Sequence, residues 1–556
     1  MSKKRKILAT AALPYANGEI HIGHLVEYLQ TDFWTRFQRM RGNDCLYICA
    51  DDTHGTPIMM RARQENISPE NLIERSHGKH LADFTDFRIA FDNYYSTHSK
   101  VNEEFCSILF KNLEEKDHLD IRSIDQTYCE HDKMFLPDRF VKGTCPKCGA
   151  ADQYGDSCDS CGATYAPAEL EDPYCSICRK PPTVKASEHI FFKLNDFKDY
   201  LAEWVPNHTP KEVSNKLLEW FDEDLHDWDI SRDEPYFGFQ IPGHPGKYFY
   251  VWLDAPVGYM ASTRNWCEQN DKTFDEIWND PESELYHFIG KDIVRFHCLF
   301  WPAILHNADF KTPTQVFVHG FLTVNGEKMS KSKGTFVNAR TYLNHLDPMY
   351  LRFYYACKLN ASADDIDLSM EDFIARVNSD LVGKITNLAS RGAQMLNKRL
   401  DGMIGEMDDD GKALVESARA KSEEIASHYE ERDFSKALVI IRDIADEANR
   451  YFDEKEPWTI IKSEPETARP ILSSTLNLFR LLAIYLKPVL PQFAEKTEKL
   501  FNENSFTWQS AEQALENHQI GPYEYLASRI DASQVEAIME ETRDELDKDK
   551  KLKGTQ

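Results

Sequence analysis

The chain has 556 residues, of which 65 are Lys or Arg and 92 are Asp or Glu, giving a formal charge of −27. That length exceeds what one hydrophobic core serves, so two to four domains are expected, and a composition that is 42% hydrophobic and 12% aromatic excludes a disordered chain. The negative charge excludes a nucleic-acid binder held by bulk attraction; any such partner must be met by local basic patches.

In chain order, "KILATAA" (residues 6–12) is an apolar run of strand length, and "LPYANGE" is a loop. "IHIGHLVEYLQTDFWTRFQRMRG" then has helical periodicity and stops at Gly42. A second strand, "CLYICA", ends at Asp51-Asp52, and "SPENLIER" opens a helix with Ser68 as N-cap and Pro69 in its first turn. This alternation predicts an α/β fold, a Rossmann-type doubly wound parallel sheet with right-handed crossovers, for residues 1–115.

The pattern breaks over residues 116–235, a cysteine-bearing insert. It resumes over 236–325 with "KYFYVWLDAPVGYM" and with "ELYHFIG", a Gly290-Lys291-Asp292 turn and a following helix. Residues 326–385 hold a Lys/Ser/Gly loop and a small linking domain. Residues 386–535 have the period of an α-helical bundle, and 536–556 read as a frayed charged tail.

No apolar run reaches the ~18–20 residues of a membrane span. The basic-then-apolar start is interrupted by Pro14 and Asn17, so no export signal is expected and the chain is read as cytoplasmic. In a reducing compartment, clustered cysteines are thiolate ligands sooner than disulfides. Cys145, Cys148, Cys158 and Cys161 form two CxxC units nine residues apart, a spacing suited to a closed structural Zn²⁺ site. Cys129, Cys175 and Cys178 flank them. With Asp132 or the adjacent His131 they form either a second site or a degenerate knuckle, and the sequence leaves that open.

Two motifs handle phosphate. His21, Ile22, Gly23 and His24 lie where a loop feeds a helix N-terminus, whose unpaired N–H groups and dipole suit an anion. Lys328, Met329, Ser330, Lys331 and Ser332 form a basic loop able to neutralise charge as pyrophosphate leaves. Each is weak alone; their order, with an α/β core between them, is specific.

With "AALPYANGEIHIGHL", "ADDTHGTP", "FIGKDIVRFH" and "VHGFLTVNGEKMSKS", the chain resembles the class I aminoacyl-tRNA synthetases, and among them the methionyl-tRNA synthetase family, over about residues 5 to 535. The resemblance implies a ligase that activates L-methionine with ATP and passes the methionyl group to initiator and elongator tRNA, with Mg²⁺ accompanying ATP and one structural zinc per chain. It implies that His21, Gly23 and His24 bind ATP and that Lys328 and Lys331 reach its phosphates. Lys291 and Asp292 are further nucleotide candidates. Leu13, Tyr15, Trp252, Ala255, Pro256, Tyr259, Ile293, His297 and Trp301 would line the methionine pocket; the last three recur at i, i+4 and i+8 on one helix face. Asp52, at a strand end, would meet the substrate ammonium, with Arg232 a weaker candidate for the carboxylate or a phosphate. Asn387, Arg391 and Trp458 would read the anticodon. No membrane partner is implied, and a monomer is expected.

Overall fold

The computed structural model describes residues 3–137, 140–155, 158, 160–161, 163, 165, 169–329 and 335–554. Its central sheet is built from Lys6–Ala11 (β1), Asp44–Asp51 (β2), Asn93–Ser96 (β3), Ser283–Gly290 (β4) and Gln315–His319 (β5), in the order β5-β4-β1-β2-β3. Every pairing is parallel, with registers Lys6↔Asp44, Ile48↔Asn93, Lys6↔Ser283 and Tyr286↔Gln315. Residues 7–11 of β1 are all buried, as a strand covered on both faces requires. The chain steps from β1 to β2 and β3 on one side, then returns to the other side with β4 and β5. This is the doubly wound sheet that the alternating pattern predicts. The reversal opens a crevice beyond the carboxyl ends of β1 and β4.

Ile22–Met40 (α1) follows β1, Thr56–Glu65 (α2) and Pro69–Asp86 (α3) follow β2, and Lys100–Glu115 (α4) leads out of β3. Ser68 caps α3, its hydroxyl accepting from the Asn71 N–H at 3.2 Å. Beyond α4, Leu119–Cys129 pairs antiparallel with Thr183–Phe192, from Leu119↔Phe192 to Tyr128↔Thr183. The cysteine knuckles hang from the far end of this ribbon, where Val141–Thr144 pairs with Gln153–Tyr154 and Glu171–Cys175. The chain rejoins the sheet through Val251–Gln269 (α5), which packs on β2 and β3.

After β5, Leu322–Val324, Glu327–Lys328 and Ile366–Leu368 form a small sheet, and helices then dominate. Asn387–Arg399 (α6) and Phe434–Lys455 (α7) pack around Pro465–Leu486 (α8), which is buried from Ile471 to Leu486 as a helix apolar on every side must be. The buried guanidinium of Arg352 joins the parts: it donates to Asp32 of α1 at 2.6 Å, to the Val489 carbonyl at 2.7 Å and to the Phe87 carbonyl at 3.0 Å. Burial pushes the Asp32 carboxyl up, but Arg36 and Arg352 outweigh it and hold the group below its usual range.

One sequence expectation is corrected here. The charged segment 536–556 is not frayed over its described part: Ala532–Gly554 (α9) is a helix that buries Val535, Ile538 and Thr542. Glu541 pairs with His345 at 2.6 Å, and Glu545 accepts from Thr341 at 2.9 Å and Asn338 at 3.1 Å. Charge dominates the composition and hides this narrow apolar stripe; the four-residue spacing then sets both glutamates on one side of the helix. Among the described residues, no helix is long and apolar enough to cross a membrane.

Candidate active site

The crevice is floored by the start of α1. His21 is its N-cap, its Nδ1 accepting from the His24 N–H at 3.2 Å, while His24 Nδ1 accepts from the His21 N–H at 3.3 Å. This is a capping box made of two imidazoles, whose rings stack at 3.5 Å. Burial, and then the neighbouring His21, push the His24 pKa well below its ordinary value, so His24 is neutral. With both Nδ1 atoms accepting, each neutral ring carries its proton on Nε2, giving two N–H donors at a helix N-terminus.

Gly23 lets this happen: a Cβ there would lie 2.9 Å from the His21 ring and 3.0 Å from Met329 Sδ. Met329 belongs to the basic loop, so the two phosphate motifs meet. Backbone bonds hold them together, from Ile22 N–H to the Val337 carbonyl (3.0 Å) and from Ala339 N–H to the Ile20 carbonyl (2.8 Å). Lys328 ends the short strand before the loop and is exposed; Lys331 lies outside the described residues.

Beside this floor Asp52 lies close to a group of aromatics that includes Tyr15, Tyr259 and His297. Asp52 follows β2 and is joined to Tyr15 by a backbone bridge. Its carboxylate is buried and Oδ1 has no hydrogen-bond partner among the described residues. Burial, and then the nearby Asp254, push its pKa well above the carboxylate range. A buried carboxylate oxygen without a partner is costly, and a substrate ammonium would relieve it. The polar atoms of the aromatics are satisfied: Tyr259 Oη donates to His297 Nε2 at 2.9 Å, His297 Nδ1–H to the Ile293 carbonyl at 3.2 Å, and Trp301 Nε1–H to His287 Nε2 at 3.0 Å. Burial lowers His297 to about 4, so it stays neutral. Such a group presents apolar surface, with ring edges that suit a polarizable thioether.

Leu13 packs against α5, where a Cβ on Gly258 would come within 2.7 Å of it, and α5 carries Ala255, Pro256 and Tyr259. Trp252 stands at the rim, 41% exposed, edge-on to Phe296 at 4.0 Å. The segment carrying Ile293, His297 and Trp301 corrects the sequence reading, which takes it as a plain helix. It is a 3₁₀ turn (Lys291–Ile293), a π turn (Phe296–Phe300) and then an α-helix (Trp301–Asn307). The wide turn carries the Trp301 N–H to the Phe296 carbonyl, and such turns collect at functional sites. Periodicity of apolar residues cannot separate a π turn from an α turn.

Lys291 is bound to Asp365 at 2.5 Å, so a phosphate would have to compete for it. Asp292 folds back over Gly290, whose missing Cβ gives it room. Arg232 donates to Ser231 and Asp229 and covers the Tyr250 ring at 3.7 Å. Sequence reasoning missed two pairs. His54 Nδ1 is 2.7 Å from buried Asp254, tying the Asp52 loop to α5, and its carbonyl accepts from Tyr15 Oη at 2.9 Å. Glu27, one turn into α1, meets His319 at 3.2 Å and leaves Oε1 buried without a hydrogen-bond partner among the described residues. Both were findable only as polar residues interrupting apolar faces.

Among the described residues no cysteine is disulfide-bonded. The Sγ atoms of Cys145, Cys148, Cys158 and Cys161 lie within 4.8 Å of one another, with separations of 3.6 and 3.9 Å for two pairs. Four thiolates at ~2.3 Å from one tetrahedral centre would be ~3.8 Å apart, so the set could hold a metal ion. Cys129, Asp132, Cys175 and Cys178 form an equally tight group, with Asp132 Oδ2 at 3.2 Å from Cys129 and 3.4 Å from Cys175. His131 is outside it and exposed. In the helical domain, Arg391 covers the rings of Phe452 (4.3 Å) and Trp458 (5.1 Å) and bonds to Asp453, while Asn387 lies one turn earlier on α6.

A doubly wound parallel sheet with two histidines capping a helix start, held through Met329 and Val337 to the segments that flank a lysine-rich stretch of sequence, defines a class I aminoacyl-tRNA synthetase. The family model "tRNA synthetases class I (M)" matches residues 7–393, and "Anticodon binding domain of methionyl tRNA ligase" matches 402–547. The chain belongs to the methionyl-tRNA synthetase family. It is 60% identical over 544 residues to a methionine–tRNA ligase of Bdellovibrio bacteriovorus, covering 98% of this chain and 79% of that one. It is similar to a solved Mycobacterium tuberculosis methionyl-tRNA synthetase in complex with methionyl-adenylate (TM-score 0.78, 26% identity, 94% of this chain, 99% of that one). A second structure of that enzyme, also bound by methionyl-adenylate, gives 0.77, 25%, 94% and 100%.

Proposed function

We infer that the chain is a methionine–tRNA ligase working in two steps. A methionine carboxylate oxygen attacks the α-phosphorus of ATP, the bond to the β-phosphate oxygen breaks, and pyrophosphate leaves. A terminal ribose hydroxyl of tRNA then attacks the acyl carbon, AMP leaves, and the hydroxyl proton is lost. The protein positions reactants and stabilises charge. His21 and His24 donate N–H to the phosphates, with Lys328 and Lys331 proposed to meet the departing pyrophosphate and Mg²⁺ arriving with ATP. The observation that carries the substrate reading is the buried Asp52 Oδ1, without a hydrogen-bond partner among the described residues, near aromatic residues whose own polar atoms are satisfied. Pyrophosphate exchange measured with each of the twenty amino acids tests it: methionine should dominate, and another amino acid exchanging faster would overturn it.

The inner cysteines fit zinc, a closed four-thiolate set with no position for chemistry, so its contribution is to hold the arm's shape. The placement of Asp132 supports a second zinc. Metal analysis is expected to give two per chain, falling to one in Cys129→Ala; one in the parent would leave the outer group a bare knuckle. For the helical domain, Trp458→Ala is expected to cut tRNA charging by about five- to 150-fold while methionine-dependent pyrophosphate exchange survives, given ~1–3 kcal/mol per stacked base. Equal loss of both would make Trp458 a packing residue. We place the protein in the cytoplasm, as a monomer.

A further inference from the structure

A second surface in the helical domain is built like a nucleotide seat. Tyr525 is 78% exposed, the most exposed large hydrophobic side chain among the described residues. It stands beside Tyr523, ring centroids 5.9 Å apart at 70°, over a groove of about 480 Å³. Gln394, Asn397, Lys398, Ile520, Gly521 and Pro522 complete the lining, and no carboxylate lines it. In a chain of charge −27 that composition is selective. Lys384, Arg391 and Lys455 of the same domain are each matched by aspartates, at 2.8, 2.8 and 2.6 Å. Lys398 has no carboxylate partner among the described residues; its contact is the Gln394 amide oxygen at 3.5 Å.

The groove continues the face already assigned. Asn387, Arg391, Gln394 and Lys398 follow one another on α6 at steps of four, three and four, a single stripe. The backbone opposite is fixed, since Asn397 Nδ2 donates to the Gly521 carbonyl at 3.0 Å. The seat is therefore preformed: an open aromatic face, amide donors and acceptors, and one ammonium without a carboxylate partner among the described residues, the set that takes an unstacked base and its phosphate.

We propose that the Tyr525 groove is a second RNA-contact site, stacking a nucleotide of the tRNA anticodon arm next to those met by Arg391 and Trp458, with Lys398 on the adjoining phosphate. The proposal rests on the tRNA-charging reading above. It is tested on the full chain with a methionine-accepting tRNA transcript, comparing Tyr525→Ala, Lys398→Ala and the double variant with the parent. The KM for tRNA is expected to rise about five- to tenfold for Tyr525→Ala, with kcat for charging held. Lys398→Ala should also flatten the log–log salt dependence of tRNA binding by roughly 0.7–1. Because Tyr525 is exposed, its removal leaves no cavity, and methionine-dependent pyrophosphate exchange, which needs no tRNA, reports that each variant is folded. An unchanged tRNA KM and salt slope in a double variant that still exchanges pyrophosphate would overturn the groove alone. A parent chain that exchanges pyrophosphate with methionine but charges no tRNA would overturn the charging reading and the groove with it.

Discussion

Asp52→Asn is expected to lower kcat/KM for methionine in pyrophosphate exchange by roughly 10²–10³-fold, since removing one partner of a buried charge pair costs about 3–5 kcal/mol and about 1.4 kcal/mol is a factor of ten. The same change should raise the Tm of the substrate-free chain at neutral pH. The folded-state pKa of Asp52 lies above its unfolded value, because burial and Asp254 disfavour the charge. The folded state thus holds the proton more tightly, and stability is lost as pH climbs from the ordinary carboxylate range towards the raised folded value. Asparagine has no charge to desolvate. For the parent, kcat/KM for methionine should rise with pH as Asp52 ionises, and this limb should vanish in the variant. A thermal melt and a pH profile on the two proteins check both statements; an unchanged kcat/KM would place the ammonium elsewhere.

Gly23→Ala is expected to reduce the rate of adenylate formation about 10²-fold or more, the scale of an ~1 Å misplacement of catalytic groups. The added methyl must displace either the His21 ring, 2.9 Å away, or Met329 of the basic loop, 3.0 Å away. The first breaks the imidazole capping box; the second moves the loop. The Tm should change little, because the helix preference for alanine over glycine, about 1 kcal/mol, is offset by a similar loss from the disturbed cap. Single-turnover formation of the adenylate, beside a melt, checks this. Parallel losses of rate and Tm would mean that Gly23 serves folding rather than alignment.

The doubly wound sheet was legible because its strands are short apolar runs cut by loop residues, and local pattern is enough for that. The two phosphate motifs were legible as residue types, but only the fold shows that Met329 closes on Gly23. The rest of the site was half legible. Asp52, Tyr259, His297 and Trp301 stand out as polar or aromatic residues at element ends or on one face. The His54–Asp254 tie was not, because its partners are 200 residues apart and each alone is an ordinary buried polar residue. The π turn and the docked C-terminal helix escaped for a common reason: a one-residue change of helical phase, or an apolar stripe only three residues wide, is lost in composition.

The catalytic sheet is interrupted by a long arm, whose outgoing and returning strands are closed at their base by the pair Leu119↔Phe192. Seen from β1 and β4, whose register joins Lys6 to Ser283, everything beyond that pair is a turn. A loop of 277 residues (283 − 6) shortens to 204 once the 73 residues between 119 and 192 are closed on themselves. By the logarithmic cost of loop closure that difference is worth only about 0.3 kcal/mol. The arm thus costs the sheet almost nothing in loop-closure entropy. Its length and outline can therefore vary at little entropic cost to the sheet, while Met59 of α2, packed on the knuckle core, and Arg63, 3.9 Å from Asp132, tie its position to the catalytic domain.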